Sequence, residues 1–153
     1  MEIETRQFGI VTIDDDKVIT VPKGLPGFPG LNRYILLDHE TIRPFVSLQS
    51  VEDGSLAFYL MDPFLFKSDY KVDTEPYLKD MNWEEGDNDK IFIYVILNVA
   101  DNDPKKITAN LIGPLLINIE KNQAVQMLVS NRNYTHKFLI FSENKENNTE
   151  VVE

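Results

Sequence analysis

Short stretches in which apolar and polar residues alternate run along most of this chain. In "EIETRQF" (residues 2–8), Ile3 and Thr5 fall on one face of an extended backbone and the charged residues fall on the other. Similar runs, rich in β-branched or aromatic residues, recur at roughly 8 to 12 residue intervals between polar, glycine or proline residues. This spacing predicts about nine short strands joined by turns.

Most of the chain can be assigned to such predicted strands. "IVTI" (10–13), "DDDK" and "VITV" (18–21) predict a strand, a turn and a strand, and hence a hairpin. The other predicted strands are "RYILLD" (33–38), "FVSLQS" (45–50), "LAFYLMD" (56–62), "KIFIYVILNVA" (90–100), "ITANLIG" (107–113), "LLINIE" (115–120) and "AVQMLV" (124–129).

Three segments do not fit the strand pattern. "VPKGLPGFPG" (21–30) is too rich in proline and glycine for a helix or a central strand, so we expect a structured loop that delivers Phe28 to a barrel end or to the surface. "DTEPYLKDMNW" (73–83) predicts one short helix, with Thr74 as its cap. The polar residues 142–153 predict a flexible acidic tail.

These elements predict a mainly β fold: a small antiparallel β-barrel-like single domain with one short helix and a disordered C-terminal tail. A compact sandwich is the alternative architecture. We expect the domain to cover residues 1–141, since 153 residues suit one hydrophobic core better than two.

Charge and composition narrow the classes of function. The formal net charge is −10, and a protein that binds a phosphate backbone needs clustered Lys and Arg, so we expect no direct contact with nucleic acid. The acid is spread over four predicted loop tips, at residues 14–16, 52–53, 84–89 and 101–103. The chain has no cysteine, which favours the cytoplasm, and its longest apolar run, residues 91–97, is too short to span a membrane.

Catalytic and metal-binding patterns are lacking. The two histidines, His39 and His136, stand far apart, and none of the serines lies in a G-x-S-x-G elbow. No glycine motif for a phosphate and no complete calcium loop is present. We therefore expect a protein that is not an enzyme and uses no cofactor or metal.

The aromatic stretch "MDPFLFKSDY" (61–70) follows a predicted strand. Strand alternation would place Phe64 and Phe66 on one face, so both would be buried or both exposed. Burial in the core and exposure in a partner groove both remain open from the sequence. In "ITANLIGPLLIN", Asn110 and Asn118 interrupt apolar runs, which predicts either backbone bracing at a turn or contact with a partner.

Five motifs together resemble the FliW family of flagellar assembly factors. In chain order they are "GLPGF" (24–28), "RYILLD" (33–38), "LQS" (48–50), "DPFLFKSDY" (62–70) and "TANLIGPLLIN" (108–118). The resemblance implies a small, non-enzymatic β-barrel-like protein of the cytoplasm that binds flagellin. It also implies that the chain, when free of flagellin, binds the translational repressor CsrA and relieves repression of flagellin mRNA. A monomer is the simplest expectation for such an adaptor.

We predict that partner binding uses residues of two of these motifs, with residues 62–70 at the rim of a groove for an amphipathic flagellin helix. The predicted set is Asp62, Pro63, Phe64, Phe66, Asp69, Tyr70, Asn110 and Pro114. Two other functions are compatible with the composition. They are an acidic module that occludes a nucleic-acid-binding site and a small β-barrel ligand carrier.

Overall fold

The structure is a computed structural model that describes residues 1–83 and 89–141. Within these ranges the chain forms eleven β-strands and one α-helix, which confirms the predicted mainly β fold. The strands are β1 Glu2–Thr5, β2 Gly9–Thr12, β3 Ile19–Thr20, β4 Arg33–Leu37, β5 Val46–Ser50, β6 Ala57–Met61, β7 Ile91–Asn98, β8 Thr108–Ala109, β9 Leu115–Asn118, β10 Gln123–Gln126 and β11 Phe138–Leu139, and the helix is α1 Glu75–Asp80. The acidic run at residues 84–88 and the predicted tail at residues 142–153 lie outside the described residues.

Seven strands close into a barrel. Their order is β7-β6-β5-β4-β3-β10-β9, and β9 pairs back onto β7 from Ile91↔Asn118 to Tyr94↔Leu115. The neighbours are antiparallel except β3 and β10, which are parallel. The short strands β8 and β11 continue from the far end of β7. The barrel is therefore the predicted architecture, and closure protects most strand edges from other chains.

The hairpin predicted for residues 10–21 is wrong. Strand β2 pairs with β1 outside the barrel, whereas β3 pairs with β4 and β10 inside it. Asp14 accepts a hydrogen bond from the Asp16 backbone N–H at 3.0 Å and caps a single 3-10 turn, which separates the two strands. Ile19 is thereby placed in the barrel interior, and its burial outweighs the local turn pattern.

The barrel interior follows the period-2 pattern of its strands. Leu36, Leu48 and Phe58 lie side by side on β4, β5 and β6 and point inward. Tyr34, Leu60, Leu115 and Ile117 are fully buried in the same cluster. Residues of opposite parity face outward from the barrel wall.

Two further hydrophobic clusters cover the outside of the barrel wall. The first lies on β7, where Val95 and Leu97 pack with Phe66, Tyr70, Leu111 and other residues. The second lies on β9 and β10, where Leu116 and Val125 pack under Trp83 and the apolar side of α1. Strands β7 and β9 are thus apolar on both faces, which explains their nearly continuous apolar sequences.

The helix lies where the sequence predicts it, but its cap differs. Thr74 makes no side-chain cap hydrogen bond, and Asp73 Oδ1 instead accepts from the Glu75 backbone N–H at 3.2 Å. Trp83, just past the helix, donates through Nε1 to Gln123 Oε1 at 2.9 Å. This bond ties the end of the helical segment to β10.

The aromatic stretch is divided between core and surface, so the expectation that Phe64 and Phe66 share a face is wrong. Pro63 cannot continue a central strand, and Pro63–Leu65 form a 3-10 turn that breaks the alternation. Phe66 is 7% exposed, whereas Phe64 is 45% exposed. Burial raises the pKa of Tyr70, whose hydroxyl donates to the Leu111 carbonyl at 2.6 Å. Tyr70 and Phe66 therefore fasten this segment to the first outer cluster.

This division predicts that two neighbouring substitutions lower the stability by very different amounts. Phe66→Ala should lower the free energy of unfolding by about 3 kcal/mol, because it leaves a cavity in the outer cluster. Phe64→Ala, the matched control, should cost less than about 1 kcal/mol, since its ring is half exposed. Urea denaturation measures both values. Equal losses for the two variants would contradict the assignment of Phe66 to the core and Phe64 to the surface.

Candidate functional site

A groove of about 980 Å³ lies at one end of the barrel, and we call it the Pro-Gly groove. Residues 22–30 form one wall, and Asn110, Ile112, Gly113 and residues 125–128 form the other. Tyr77 of α1 contributes to its lining, and Leu128 at its rim is 75% exposed. Such a groove offers mainly apolar surface with a few amide groups.

The proline- and glycine-rich wall is a structured loop, as predicted. Gly24 and Gly27 have φ angles of +71° and +88°, a region that L side chains rarely adopt. Two turn hydrogen bonds, from Gly24 N–H to the Val21 carbonyl at 2.9 Å and from Phe28 N–H to the Leu25 carbonyl at 3.0 Å, hold the loop. The ring of Phe28 packs edge-on against Phe58 of the barrel with centroids 5.2 Å apart. The wall is thus anchored at several points and needs little reordering to bind a partner.

Glu52 fixes the point where this loop enters β4. Its Oε1 accepts hydrogen bonds from the backbone N–H groups of Asn32 at 2.9 Å and Arg33 at 3.0 Å. The bond from Arg33, with smaller contributions from Asn32 and the Arg33 charge, lowers the pKa of Glu52. This acidic residue therefore has a structural role in addition to its charge.

The opposite wall is braced by amide side chains. Asn110 Oδ1 accepts from the Ile112 backbone N–H at 3.1 Å, and Gln126 Nε2 donates to the Gly113 carbonyl at 2.9 Å. Asn118 likewise accepts from the backbone N–H groups of Glu120 and Lys121. Of the two roles that the sequence left open for these asparagines, backbone bracing is observed for both, and Asn110 also lines the groove. Pro114 is buried, and its carbonyl accepts from the Met127 N–H at 2.8 Å.

A second concavity of about 300 Å³ lies elsewhere on the barrel, between the 3-10 turn and β7. We call it the Phe64–Phe92 pocket; its lining residues are Asp62, Phe64, Ile91, Phe92, Ile93 and Tyr94. Phe64 and Phe92 are 45% and 42% exposed. Asp62 caps the turn by accepting from the Phe64 N–H at 2.9 Å. Burial, followed by the carboxylates of Asp62 and Asp38, raises the pKa of Tyr94.

The eight predicted site residues do not form one surface. Asp62 and Phe64 line the Phe64–Phe92 pocket, and Asn110 lines the Pro-Gly groove. Asp69 is exposed and pairs with Lys67 at 3.0 Å. Four others are buried and line neither concavity: Pro63, Phe66, Tyr70 and Pro114.

Two exposed apolar residues at these surfaces were not predicted. Phe92 lies within the uninterrupted apolar run 91–97, which carries no alternation to mark an outward face. Leu128 lies between Met127 and Val129 near the end of the run "AVQMLV", two residues past the last residue of β10. At neither position does an alternation of apolar and polar residues mark the side chain as exposed.

The acidic residues lie in exposed loops, as the sequence predicts for the clusters that the structure describes. Residues 14–16, 52–53 and 101–102 are exposed, and Asp103 is partly buried, where its Oδ1 accepts from the Lys105 backbone N–H at 2.9 Å. Across residues 1–83 and 89–141, no three His, Asp or Glu side chains group closely enough to hold a metal ion. The helix in the same ranges is too short to cross a membrane.

A model of the family described as FliW protein matches residues 2–140, which is nearly the whole of the described chain. The chain belongs to the FliW family. The family assignment confirms the resemblance carried by the five motifs.

Individual FliW relatives agree with this assignment. The flagellar assembly factor FliW of Caldanaerobacter subterraneus subsp. tengcongensis is 36% identical over 146 residues, covering 95% of this chain and 96% of the relative. The FliW of Treponema denticola is 37% identical over 144 residues, covering 94% and 95% of the two chains. A crystal structure of a flagellar assembly factor FliW superposes with a TM-score of 0.83 at 33% identity, covering 94% of this chain and 99% of the other.

Proposed function

We propose that this protein is a cytoplasmic flagellar assembly factor that binds flagellin and, when free, binds and antagonises CsrA. The observation that carries the proposal is the position of the family motifs. Parts of "GLPGF" and "TANLIGPLLIN" line the Pro-Gly groove, and parts of "DPFLFKSDY" line the Phe64–Phe92 pocket. A non-enzymatic adaptor for two partners needs accessible surfaces of this kind.

The Pro-Gly groove suits the larger apolar ligand. An amphipathic helix binds a groove through side chains at i, i+3 and i+4, and several such side chains need a long apolar trough. The groove has about three times the volume of the pocket and a rigid loop on one wall. We therefore assign the flagellin helix to this groove instead of to residues 62–70, half of whose predicted contact residues are buried.

The acidic surface suits a basic RNA-binding repressor. A net charge of −10, spread over exposed loops, creates a field that attracts a basic protein from a distance. Asp62 adds a carboxylate beside the apolar side chains of the Phe64–Phe92 pocket. We assign CsrA to this second, smaller surface, so the two partners contact different parts of the barrel.

The groove assignment predicts that Leu128→Ser weakens flagellin binding about tenfold, because burying a leucine contributes roughly 1.5–3 kcal/mol. Ile10→Ser is the matched control. Ile10 is 70% exposed on β2 and lines neither concavity. Calorimetric titration with purified flagellin measures both variants. If Leu128→Ser binds as tightly as Ile10→Ser, flagellin does not use the groove, and if the unaltered chain fails to bind flagellin, the proposed function itself is wrong.

The charge argument predicts that CsrA association slows as salt is added. Between about 10 mM and 150 mM salt the Debye length falls from roughly 30 to 8 Å, and the association rate constant should drop at least about tenfold. Replacing the exposed Asp15 and Asp16 by asparagine should make this salt dependence shallower. Stopped-flow kinetics measures the rate constants. A rate that does not change with salt would refute electrostatic capture.

A further inference from the structure

Strand β7 has a neighbouring strand along one edge, but its other edge is only partly paired. On one side, β9 and β8 together follow it from Ile91 to Asn98. On the other side, β6 pairs only with Val95 and Ile96, because β6 ends at Met61. Pro63 then begins the 3-10 turn, which ends the strand pairing but stays beside β7 across the Phe64–Phe92 pocket. Among the described residues, the stretch from Ile91 to Tyr94 therefore has no strand partner on the β6 side.

The backbone groups at this gap can be assigned from their neighbours. The carbonyls of Lys90 and Ile96 accept from Ile119 and Asn110, so the even-numbered residues of β7 face β9 and β8. Since backbone groups alternate along a strand, Ile91 and Ile93 direct their N–H and C=O groups to the opposite side. This is the side of the gap and of the Phe64–Phe92 pocket. Within residues 1–83 and 89–141, no hydrogen bond engages these groups on that side.

We propose that the open edge of β7 binds a short, extended, basic segment of a partner protein by strand addition. Four residues of strand give about 13 Å of edge, which is enough for a segment of four or five residues. The N–H and C=O groups of Ile91 and Ile93 form the new ladder, and Phe64 and Phe92 supply apolar contacts beside it. The inference goes beyond the proposed function, because it specifies how the pocket binds and does not depend on the partner being CsrA.

Charge identifies the chemistry of the segment. Asp62 lines the pocket, and none of the ion pairs among the described residues includes it. A lysine or arginine in the added strand would pair with this carboxylate. A second copy of this chain would instead bring another charge of −10 and a second Asp62 to the same gap. The edge therefore favours a basic partner over self-association.

The first test uses the intact, ¹⁵N-labelled chain alone. Amide hydrogen exchange should be fast at Ile91 and Ile93 and slow at Phe92 and Tyr94, which pair with Ile117 and Leu115 of β9. Slow exchange at Ile91 and Ile93 would overturn the proposal, because their backbone N–H groups would already be hydrogen-bonded.

The second test adds the peptide acetyl-Val-Lys-Val-Thr-Val-amide. We expect saturable binding in the millimolar range, with exchange at Ile91 and Ile93 slowed. A peptide methylated at every backbone nitrogen should not bind, and a peptide with Glu in place of Lys should bind more weakly. No binding by the first peptide, or equal binding by the methylated one, would overturn the proposal.

A pair of variants isolates the backbone donor. Ile93→Pro removes an N–H that faces the gap, a position where an edge strand tolerates proline, whereas Ile93→Ala removes the side chain and keeps the N–H. Loss of one hydrogen bond should weaken peptide binding about tenfold in Ile93→Pro relative to Ile93→Ala. Equal affinities in the two folded variants would overturn strand addition. If Ile93→Pro does not fold, the methylated peptide decides the question by itself.

Discussion

The pairing of β7 with β9 closes the barrel, and most of the molecule depends on it. Without it the seven strands would form an open sheet with two exposed edges. The closure also places the two faces of β7 in different environments: Tyr94 and Ile96 pack into the barrel interior, while Val95 and Leu97 pack into the first outer cluster. One strand thus connects two cores, and a substitution in β7 affects both.

Because the barrel wall is apolar on its outside as well, other segments have to cover it. Helix α1 and Trp83 cover β9 and β10, and residues 66–70 cover β7 with help from β8 and β11. The covering segments also shape the two concave surfaces. Tyr77 of α1 reaches the Pro-Gly groove, and the turn that carries Phe66 to the core leaves Phe64 exposed. The aromatic stretch therefore contributes Phe66 to the core and Phe64 to the surface.

Local patterns in the sequence predict most individual elements but not their partners. The alternation in "RYILLD" and "FVSLQS" predicts β4 and β5 because each strand has one face inside the barrel. Strand β2 pairs with β1 and not with β3, because β3 places Ile19 in the barrel interior. A local sequence pattern cannot show where a residue such as Ile19 is buried. The same limit applies to Phe64 and Phe66, since Pro63 changes the backbone period between them. For the candidate site, Asp62, Phe64 and Asn110 could be predicted from unusual residues at strand ends, whereas Phe92 and Leu128 lie in continuous apolar runs.

The central claim is that separate surfaces of a rigid barrel bind separate partners. Hydrogen exchange of the full chain, measured by mass spectrometry with and without purified flagellin, tests it most directly. The account predicts that flagellin slows exchange in residues 22–30, 110–113 and 125–128, with no change in residues 91–94 of the Phe64–Phe92 pocket. Protection of residues 91–94 with none in the groove would contradict it.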